Sequence, residues 1–342
     1  MRLCIALAAA VAFLSAGAFA QNWVAQSSGT TASLRGLSAV SPAVVWASGT
    51  SGMYLRTQDG GATWHAAAVP GAVDLDFRGV YALDAKTAWL MSSGPGAKSR
   101  IYKTADGGAH WSPLYTNPDA GGFFDALAFW DARQGVVLGD PVDGQFVILT
   151  TGDGGRTWQR SKLPAALANE GAFAASNSCL RVRVYRGNRE IWFGTGGTSG
   201  ARVFHSSDGG GHWDVAGTPL RHDGPGAGIF SLVFGESLRG VAVGGDYGKP
   251  ADNSGNVAIT ADGHTWAQPA GAHPSGYRSA VACLAVRKVW IAVGTSGSDI
   301  SIDGGNSWKT FDHGAYNAIG AAGRDAVWAV GPGGRVGKLQ WR

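Results

Sequence analysis

Three arginines stand at equivalent places in a repeating sequence and could together bind an anion. Arg35, Arg78 and Arg278 each open a predicted strand, and Asn317 takes the same place in a further repeat. Guanidinium groups bind carboxylate, sulfate and phosphate through forked hydrogen bonds. If these strands begin around one opening, their side chains form a site for such a ligand. The alternative is that each arginine pairs with a neighbouring carboxylate and has only a structural role.

Acidic residues are predicted around the same opening. The candidates for ligand binding are Asp125, Asp143 and Asp246. A glycosidase needs two suitably placed carboxylates. The residues for that chemistry would be Asp140, Glu170 and Tyr247. Because acidic side chains in glycine-rich loops more often cap turns, binding without catalysis is the favoured interpretation and catalysis the alternative.

Other chemistries lack their motifs in this sequence. The eight histidines are scattered without metal-ligand spacing, and no Cys-x-x-Cys pair occurs. The glycine-rich run at 194–197 lacks the following helix that a dinucleotide site needs. No Gly-x-Ser-x-Gly motif of a hydrolase is present. We therefore expect no metal and no cofactor.

A short motif that occurs six times must position these residues. Its full form is TQDGGATW at Thr57–Trp64, and the copy at Thr260–Trp266 is one residue shorter. A hydroxyl, an aspartate and two glycines are typical of a tight turn, because the oxygens accept bonds from nearby N–H groups and glycine adopts positive φ freely. We assign the aspartates of the motif a structural role. They are Asp59, Asp106, Asp153, Asp208, Asp262 and Asp303.

Each motif lies between two predicted strands, and two further strands precede it. The repeat therefore predicts a four-stranded unit, and seven units fill residues 21–342 as one domain. The seventh unit lacks its fourth strand, and Asn22–Gln26 has the Trp-led pattern of that strand. We predict an all-β, seven-bladed propeller that the N-terminal strand closes, with motifs on one face and inner-strand starts on the other. The inner strand of blade 4 is predicted at Gly171–Ala174.

The first twenty residues are typical of a secretory signal peptide. Arg2 precedes the apolar run Leu3–Leu14, and Ala18–Ala20 forms a small-x-small cleavage site. Cleavage after Ala20 would release an exported protein, periplasmic or extracellular. No later apolar run has the length of a membrane span.

Composition narrows the choice of partners. Charged residues make up only 15% of the chain, and its formal net charge is +4. So small and scattered a charge predicts neither a nucleic-acid partner nor a membrane-surface patch. The 54 glycines and 14 tryptophans fit a glycine-rich β protein, which we expect to be a monomer. Whether Cys179 and Cys283 form a disulfide is left open.

The repeated motif resembles the Asp-box, or BNR repeat, of bacterial sialidases, sortilin-type receptors and photosystem II stability/assembly factors. In those families the motif is structural and lies away from the ligand. Sequence between Lys98 and Gly144, Asn169–Ser176 and Gly244–Tyr247 makes the mature chain similar to bacterial exported relatives of the photosystem II factor. That resemblance implies a seven-bladed propeller. Its photosynthetic members are assembly scaffolds with an arginine patch on one face. Sialidases have six blades and an Arg-Ile-Pro that is absent here.

The sequence thus predicts an exported, non-catalytic propeller that binds a protein or an anionic ligand at its channel mouth. Its role would be similar to that of an assembly or stability factor. The alternative is an exo-acting, sialidase-like glycoside hydrolase that uses the carboxylates of the same face.

Overall fold

Consecutive strands pair into antiparallel sheets in the computed structural model, which describes residues 21–161, 165–235 and 237–341. The described strands form seven sheets of four strands, one of which has two short additional strands. The innermost strand of each sheet contacts that of the next, and the seventh contacts the first. The sheets therefore form a closed ring around a channel, which confirms the predicted seven-bladed propeller. The predicted signal peptide lies outside the described residues.

In every blade the strands follow one another from the channel outwards. In blades 1 to 3 they are Leu34–Ala39, Val45–Gly49, Met53–Thr57 and His65–Ala68; Phe77–Ala82, Ala88–Ser92, Arg100–Thr104 and Ser112–Thr116; Phe124–Phe129, Gly135–Val142, Gln145–Thr151 and Gln159–Arg160. In blades 4 and 5 they are Leu180–Tyr185, Asn188–Gly194, Arg202–Ser206 and Asp214–Gly217; Ala227–Phe234, Gly240–Asp246, Val257–Thr260 and Trp266–Ala267. In blades 6 and 7 they are Ala280–Leu284, Val289–Gly294, Gly297–Ser301 and Lys309–Asp312; Ala318–Ala322, Ala326–Val330, Val336–Trp341 and Gln21–Gln26.

Helical structure is confined to short turns in the described part of the chain. The 3₁₀ turns are Gly96–Lys98, Ala285–Arg287 and Pro332–Gly334. None of these described turns has the length and hydropathy that a membrane span requires.

The N-terminal strand closes the ring, as predicted. Gln21–Gln26 pairs antiparallel with Val336–Trp341, and Trp23 lies opposite Leu339. The indole Nε1 of Trp23 also donates a hydrogen bond of 3.0 Å to Ser298 Oγ in blade 6. Because the fourth strand of blade 7 comes from the other end of the chain, the ring is held by a full set of backbone hydrogen bonds.

Second-strand tryptophans pack between neighbouring blades. Trp46, Trp89, Trp192 and Trp328 have no exposed surface. The ring of Trp46 in blade 1 meets Trp111 of blade 2 edge to face, with centroids 6.2 Å apart. A buried aromatic ring of this size removes about 200 Å² from water, a gross stabilisation of about 5 kcal/mol. These contacts fix the positions of the inner strands that form the channel.

The repeated motifs lie on the face where the inner strands end, which we call the box face. In the first motif, Thr57 Oγ1 donates to Asp59 Oδ1 at 2.8 Å and accepts from the Gly61 N–H at 2.9 Å. Asp59 also accepts from the N–H and the hydroxyl of Thr63. These bonds, the Thr63 hydroxyl first, hold the pKa of Asp59 well below its usual range. The hydroxyl-to-aspartate bond recurs in the other five motifs, at 2.9–3.0 Å.

The prediction for the inner strand of blade 4 is wrong. That strand is Leu180–Tyr185, and Glu170–Gly171 instead pairs with Gly196–Gly197, which adjoins the inner strand of blade 5. The 171–174 run of glycine, alanine and one phenylalanine has few residues that favour a strand. Gly197 explains the glycine-rich run that follows, because its φ is +117° and a Cβ there would lie 2.0 Å from the carbonyl oxygen of Asn169.

Candidate functional site

A cavity of about 980 Å³ opens on the face where the inner strands begin. We call it the mouth cavity. The residues of its lining that matter below are Arg35, Arg78, Asp125, Asp140, Tyr277 and Asn317. They come from blades 1, 2, 3, 6 and 7, or from the loops that lead into them. The ring of inner strands therefore brings together residues that lie far apart in the sequence.

The segment 172–178 forms the floor of the mouth cavity. Residues 172–175 line this cavity, and residues 176–178 line a second one of about 260 Å³ deeper in the channel. The Asn177 side chain accepts from the Leu127 N–H at 2.8 Å and donates to the Leu127 carbonyl at 3.0 Å. On the other side of the channel, Ser176 Oγ donates to the Ser279 carbonyl at 2.8 Å. The segment therefore crosses the channel between blades 3 and 6 and closes it below the mouth.

Arg35 has a partly buried guanidinium group without a hydrogen-bonding partner among the described residues. Its Nε atom is buried and unsatisfied. Burial lowers the pKa of Arg35, the neighbouring charge of Arg78 lowers it further, and the charge of Asp76 opposes the shift without a hydrogen bond to Arg35. A buried N–H group of a cation without an acceptor is unfavourable. The Nε of Arg35 is thus a donor in the mouth cavity that lacks an acceptor among the described residues.

Arg78 is held in place but keeps part of its guanidinium free. Its Nε donates to Asp76 Oδ2 at 2.7 Å, and its Nη1 lies 3.4 Å from the Ala174 carbonyl of the floor. The guanidinium also lies over the Phe123 ring at 6.0 Å. Arg35 and Arg78 therefore present two neighbouring cationic groups to the cavity, one unpaired and one oriented by a carboxylate.

Arg278 does not face the mouth cavity, so that part of the prediction is wrong. Its side chain has no exposed surface, and its Nε donates to Asp299 Oδ2 at 2.5 Å. The remaining nitrogens donate to Ser275 Oγ, Ser296 Oγ and the Tyr277 carbonyl. The sequence alignment is one residue out here. The Arg278 N–H bonds to the Gly244 carbonyl as the Leu34 N–H bonds to the Gly331 carbonyl, so Arg278 matches Leu34 rather than Arg35. A shift of one residue turns its side chain into the blade, where Asp299 of the third strand binds it. The alternative interpretation, pairing with a carboxylate, applies to Arg278.

Two carboxyl groups in the mouth cavity have raised pKa values. Burial raises the pKa of Asp125 well above its usual range, and the charge of Asp140 raises it further. Burial also raises the pKa of Asp140 to about 6, although a hydrogen bond from the Ala172 N–H opposes the shift. Burial therefore favours the protonated form of Asp125, and its buried Oδ2 has no partner among the described residues. A neutral carboxyl group of this kind can donate a hydrogen bond to an anionic ligand.

Glu170 is fully engaged in the structure. Its carboxylate, which has no exposed surface, accepts bonds from Arg202 Nε and Nη2 at 2.8 and 2.5 Å. It also accepts from Thr195 Oγ1 at 2.6 Å and from the Leu167 N–H at 2.8 Å. Tyr247, the other residue considered for catalysis with Asp140, is 60% exposed at the rim. Glu170 thus holds the floor segment rather than presenting a free carboxylate.

The remaining predicted ligand residues are placed differently from one another. Asn317 lines the cavity, but its Nδ2 donates to the Leu34 carbonyl at 2.8 Å and so joins blade 7 to blade 1. Asp143 is exposed at the tip of a hairpin, outside the cavity lining. Asp246 accepts from the Gly248 N–H at 2.9 Å and lies 3.6 Å from Lys249 Nζ. The structure therefore brings Arg35, Arg78, Asp125 and Asn317 together, and leaves Asp143 and Asp246 outside that group.

An aromatic wall of the mouth cavity was missed by the sequence-based prediction. Phe173 of the floor stacks on Phe230 with centroids 3.9 Å apart, and Phe230 meets Tyr277 edge to face at 4.7 Å. The single signal for it was a phenylalanine inside a glycine- and alanine-rich run, which the prediction placed in a strand. The cavity thus combines an apolar wall with a cationic one.

The fold and the cavity define a seven-bladed propeller with a polar and aromatic mouth. No protein-family model matches the chain, and no curated protein matches it. Among solved structures, the chain is similar to YCF48 from Cyanidioschyzon merolae, with a TM-score of 0.65 and 19% identity over 93% of this chain and 98% of that one. It is also similar to YCF48 bound to D1 peptide, with a TM-score of 0.64 and 16% identity over 93% of this chain and 96% of that one.

A third similar structure is that of U3-55K, with a TM-score of 0.64 and 14% identity over 93% of this chain and 98% of that one. YCF48 is a photosystem II assembly factor, so the resemblance expected from the sequence is confirmed at the level of the fold. Identities this low establish the shared fold and leave the ligand to be inferred from the site.

Proposed function

We propose that this protein is an exported, monomeric and non-catalytic binding scaffold that holds an acidic segment of a protein partner in its mouth cavity. Arg35 and Arg78 would bind a carboxylate of that segment, with Asp125 as a hydrogen-bond donor beside them. The observation that carries the proposal is the unpaired guanidinium of Arg35. Its role in the cell would be similar to that of an assembly or stability factor.

The electrostatics of the mouth cavity favour an anionic group as the ligand. A carboxylate at Arg35 supplies the partner that the described residues do not provide, and it accepts two parallel N–H bonds from a guanidinium. The Asp76 carboxylate already orients Arg78, so little side-chain freedom is lost there on binding. Arg78 is therefore prearranged for an acidic group that Arg35 binds as well.

The size of the mouth cavity and its aromatic wall favour a peptide, rather than a small ion, as the ligand. A cavity of about 980 Å³ is at the upper end of ordinary ligand pockets. The stacked pair Phe173 and Phe230 offers an apolar surface beside the cations. One similar propeller, YCF48, has been solved with a peptide bound, which makes a peptide the ligand class that we favour.

The glycoside hydrolase alternative has weaker support. Glu170 would have to act with Asp140, but its carboxylate is buried under Arg202 and Thr195. An enzyme of this class needs both carboxyl groups at the bound sugar. Turnover of aryl glycosides by the purified protein would refute the non-catalytic proposal.

Peptide binding tests the proposal directly. Fluorescence polarisation would compare short acidic peptides with the same peptides in which Glu and Asp are replaced by Gln and Asn. We expect the wild type to prefer the acidic set, and the double variant Arg35→Ala/Arg78→Ala to bind it at least about tenfold more weakly. Arg324→Ala is the matched control, because that side chain is 73% exposed on the box face. Equal binding of both peptide sets by the wild type would contradict the proposal.

A further inference from the structure

Three potential metal ligands meet on the box face, between blades 4 and 5. His205 lies on the third strand of blade 4, and Asp214 lies directly opposite it on the fourth strand. His264 belongs to the shortened motif of blade 5. One ligand atom from each of the three residues lies within 4.8 Å of the other two. The sequence analysis did not predict this cluster, because the three residues lie on two strands and a turn and their spacing in the sequence matches no metal-binding motif.

His205 has an unmet hydrogen-bonding demand. Its side chain is only 9% exposed, and neither ring nitrogen has a hydrogen-bond partner among the described residues. One face of the ring stacks on Trp192, with centroids 4.3 Å apart and planes at 8°. A buried nitrogen without a partner is unfavourable. A ligand bound to a ring nitrogen of His205 would provide the partner that the described residues do not.

The shortened motif places His264 differently from the other motif histidines. In the full motifs, the rings of His110 and His212 bond to the aspartate of their own turn, at 2.7 and 2.6 Å. In the shortened motif, Asp262 Oδ1 accepts from the backbone N–H groups of His264 and Thr265. The His264 ring instead meets the His205 ring edge to face, at 5.2 Å. His110 and His212 directly precede the motif Trp, whereas His264 stands one residue earlier, before Thr265, and its ring lies beside blade 4.

A carboxylate also stands just outside the cluster. Glu190 Oε1 lies 3.9 Å from His205 Nε2, and Glu190 Oε2 accepts from Arg183 Nε at 2.6 Å. Arg183 therefore holds this carboxylate beyond direct bonding distance of the ring. A carboxylate that accepts a hydrogen bond from the second ring nitrogen commonly orients a metal-bound histidine, and a small movement of Glu190 would make that bond.

We propose that His205, Asp214 and His264 bind a divalent transition-metal ion, with Zn²⁺ as the best match. Two imidazole nitrogens and one carboxylate oxygen form a ligand set that binds Zn²⁺ in preference to Mg²⁺ or Ca²⁺. Donor atoms around a tetrahedral zinc ion lie about 3.3 Å apart. Asp214 and His264 are both exposed, so rotation of their side chains closes the present separation. A water molecule would take the fourth position, and the ion would join blades 4 and 5.

Zinc titration of the untagged, chelator-treated protein tests the site. Calorimetry should show one Zn²⁺ site in the wild type, and His264→Ala and Asp214→Asn should each weaken it at least about tenfold. Both residues are exposed, so these variants keep the fold, whereas His205 is buried and its substitution is not needed. His110→Ala is the matched control, because that histidine lies in a full motif of blade 2 and should leave binding unchanged.

Thermal unfolding gives a second readout of the same site. Zn²⁺ should raise the unfolding temperature of the wild type and of His110→Ala, and it should raise that of His264→Ala by clearly less at the same Zn²⁺ concentration. Mg²⁺ should have no effect on any of them. No calorimetric Zn²⁺ binding by the wild type, or the same affinity in wild type and His264→Ala, would overturn the proposal. Peptide binding at the mouth cavity does not depend on this outcome.

Discussion

The two faces of the propeller satisfy their polar groups to different degrees. On the box face, each repeated aspartate is bonded to the hydroxyl and N–H groups of its own turn. On the mouth face, Arg35 and Asp125 have buried polar atoms without partners among the described residues. The turns of the repeated motif are therefore satisfied by their own groups, whereas the mouth cavity keeps buried polar atoms that a ligand could satisfy. His205 is an exception on the box face, because neither of its ring nitrogens has a partner among the described residues.

Arg35 and Arg278 make this comparison at adjacent positions of the repeat. Arg278 lies just before the inner strand of blade 6 and pairs with Asp299, whereas the buried Nε of Arg35, in the inner strand of blade 1, has no hydrogen-bond partner among the described residues. The same residue type thus has a structural role in blade 6 and a proposed binding role in blade 1. Four experiments test this difference, and their expected effects on stability decrease in the order given.

The largest effect is expected from Arg278→Ala. The substitution leaves the buried Asp299 carboxylate without its cation, and breaking a buried pair in this way costs about 3–5 kcal/mol. Urea unfolding would measure the loss. Arg35→Ala is the comparison variant, and without ligand it should be as stable as the wild type or slightly more so. Equal destabilisation by both substitutions would remove the distinction between the two arginines.

Asp140→Asn should stabilise the protein in a pH-dependent way. The folded-state pKa of Asp140 is about 6 and its ordinary value is 3.8. The folded state therefore holds this proton more tightly, and the wild type loses stability as the pH rises through that window. Asparagine carries no charge and can still accept the Ala172 bond, so the variant should gain up to about 3 kcal/mol at pH 8 and little at about pH 4.

Unfolding free energies of wild type and Asp140→Asn at the two pH values would test this prediction. If Asp140→Asn gains the same unfolding free energy at both pH values, burial of the Asp140 charge is not the cause of the stabilisation.

A smaller effect is expected from Asp303→Ala on the box face. Asp303 accepts bonds from Ser301 Oγ and from the N–H and hydroxyl of Ser307. Loss of such a turn cap costs about 1–2 kcal/mol. Thermal unfolding should therefore show a moderate loss of stability, with peptide binding at the mouth unchanged. A loss of peptide binding in this folded variant would show that the two faces are coupled.

The propeller could be predicted from the sequence, but the arrangement of side chains in the mouth cavity could not. Repetition of the motif predicts the strand order, the blade count and closure by Gln21–Gln26, because each unit must bury its faces against identical neighbours. The floor at 172–178 has no counterpart in the other repeats, and so its path could not be predicted from them. The partner of Arg278 could not be predicted either, because Asp299 lies on another strand and only the pairing register brings them together.

Sulfate-dependent unfolding of wild type and Arg35→Ala shows whether Arg35 binds an anion. The experiment is done at about pH 5, where Asp140 is mostly protonated. Sulfate stabilises proteins generally, so the difference between the two proteins is the quantity of interest. We predict a larger rise in unfolding temperature for the wild type, from binding at Arg35, with equal or higher stability of the variant in chloride. The same rise in both proteins, or a variant that is much less stable in chloride, would contradict the account.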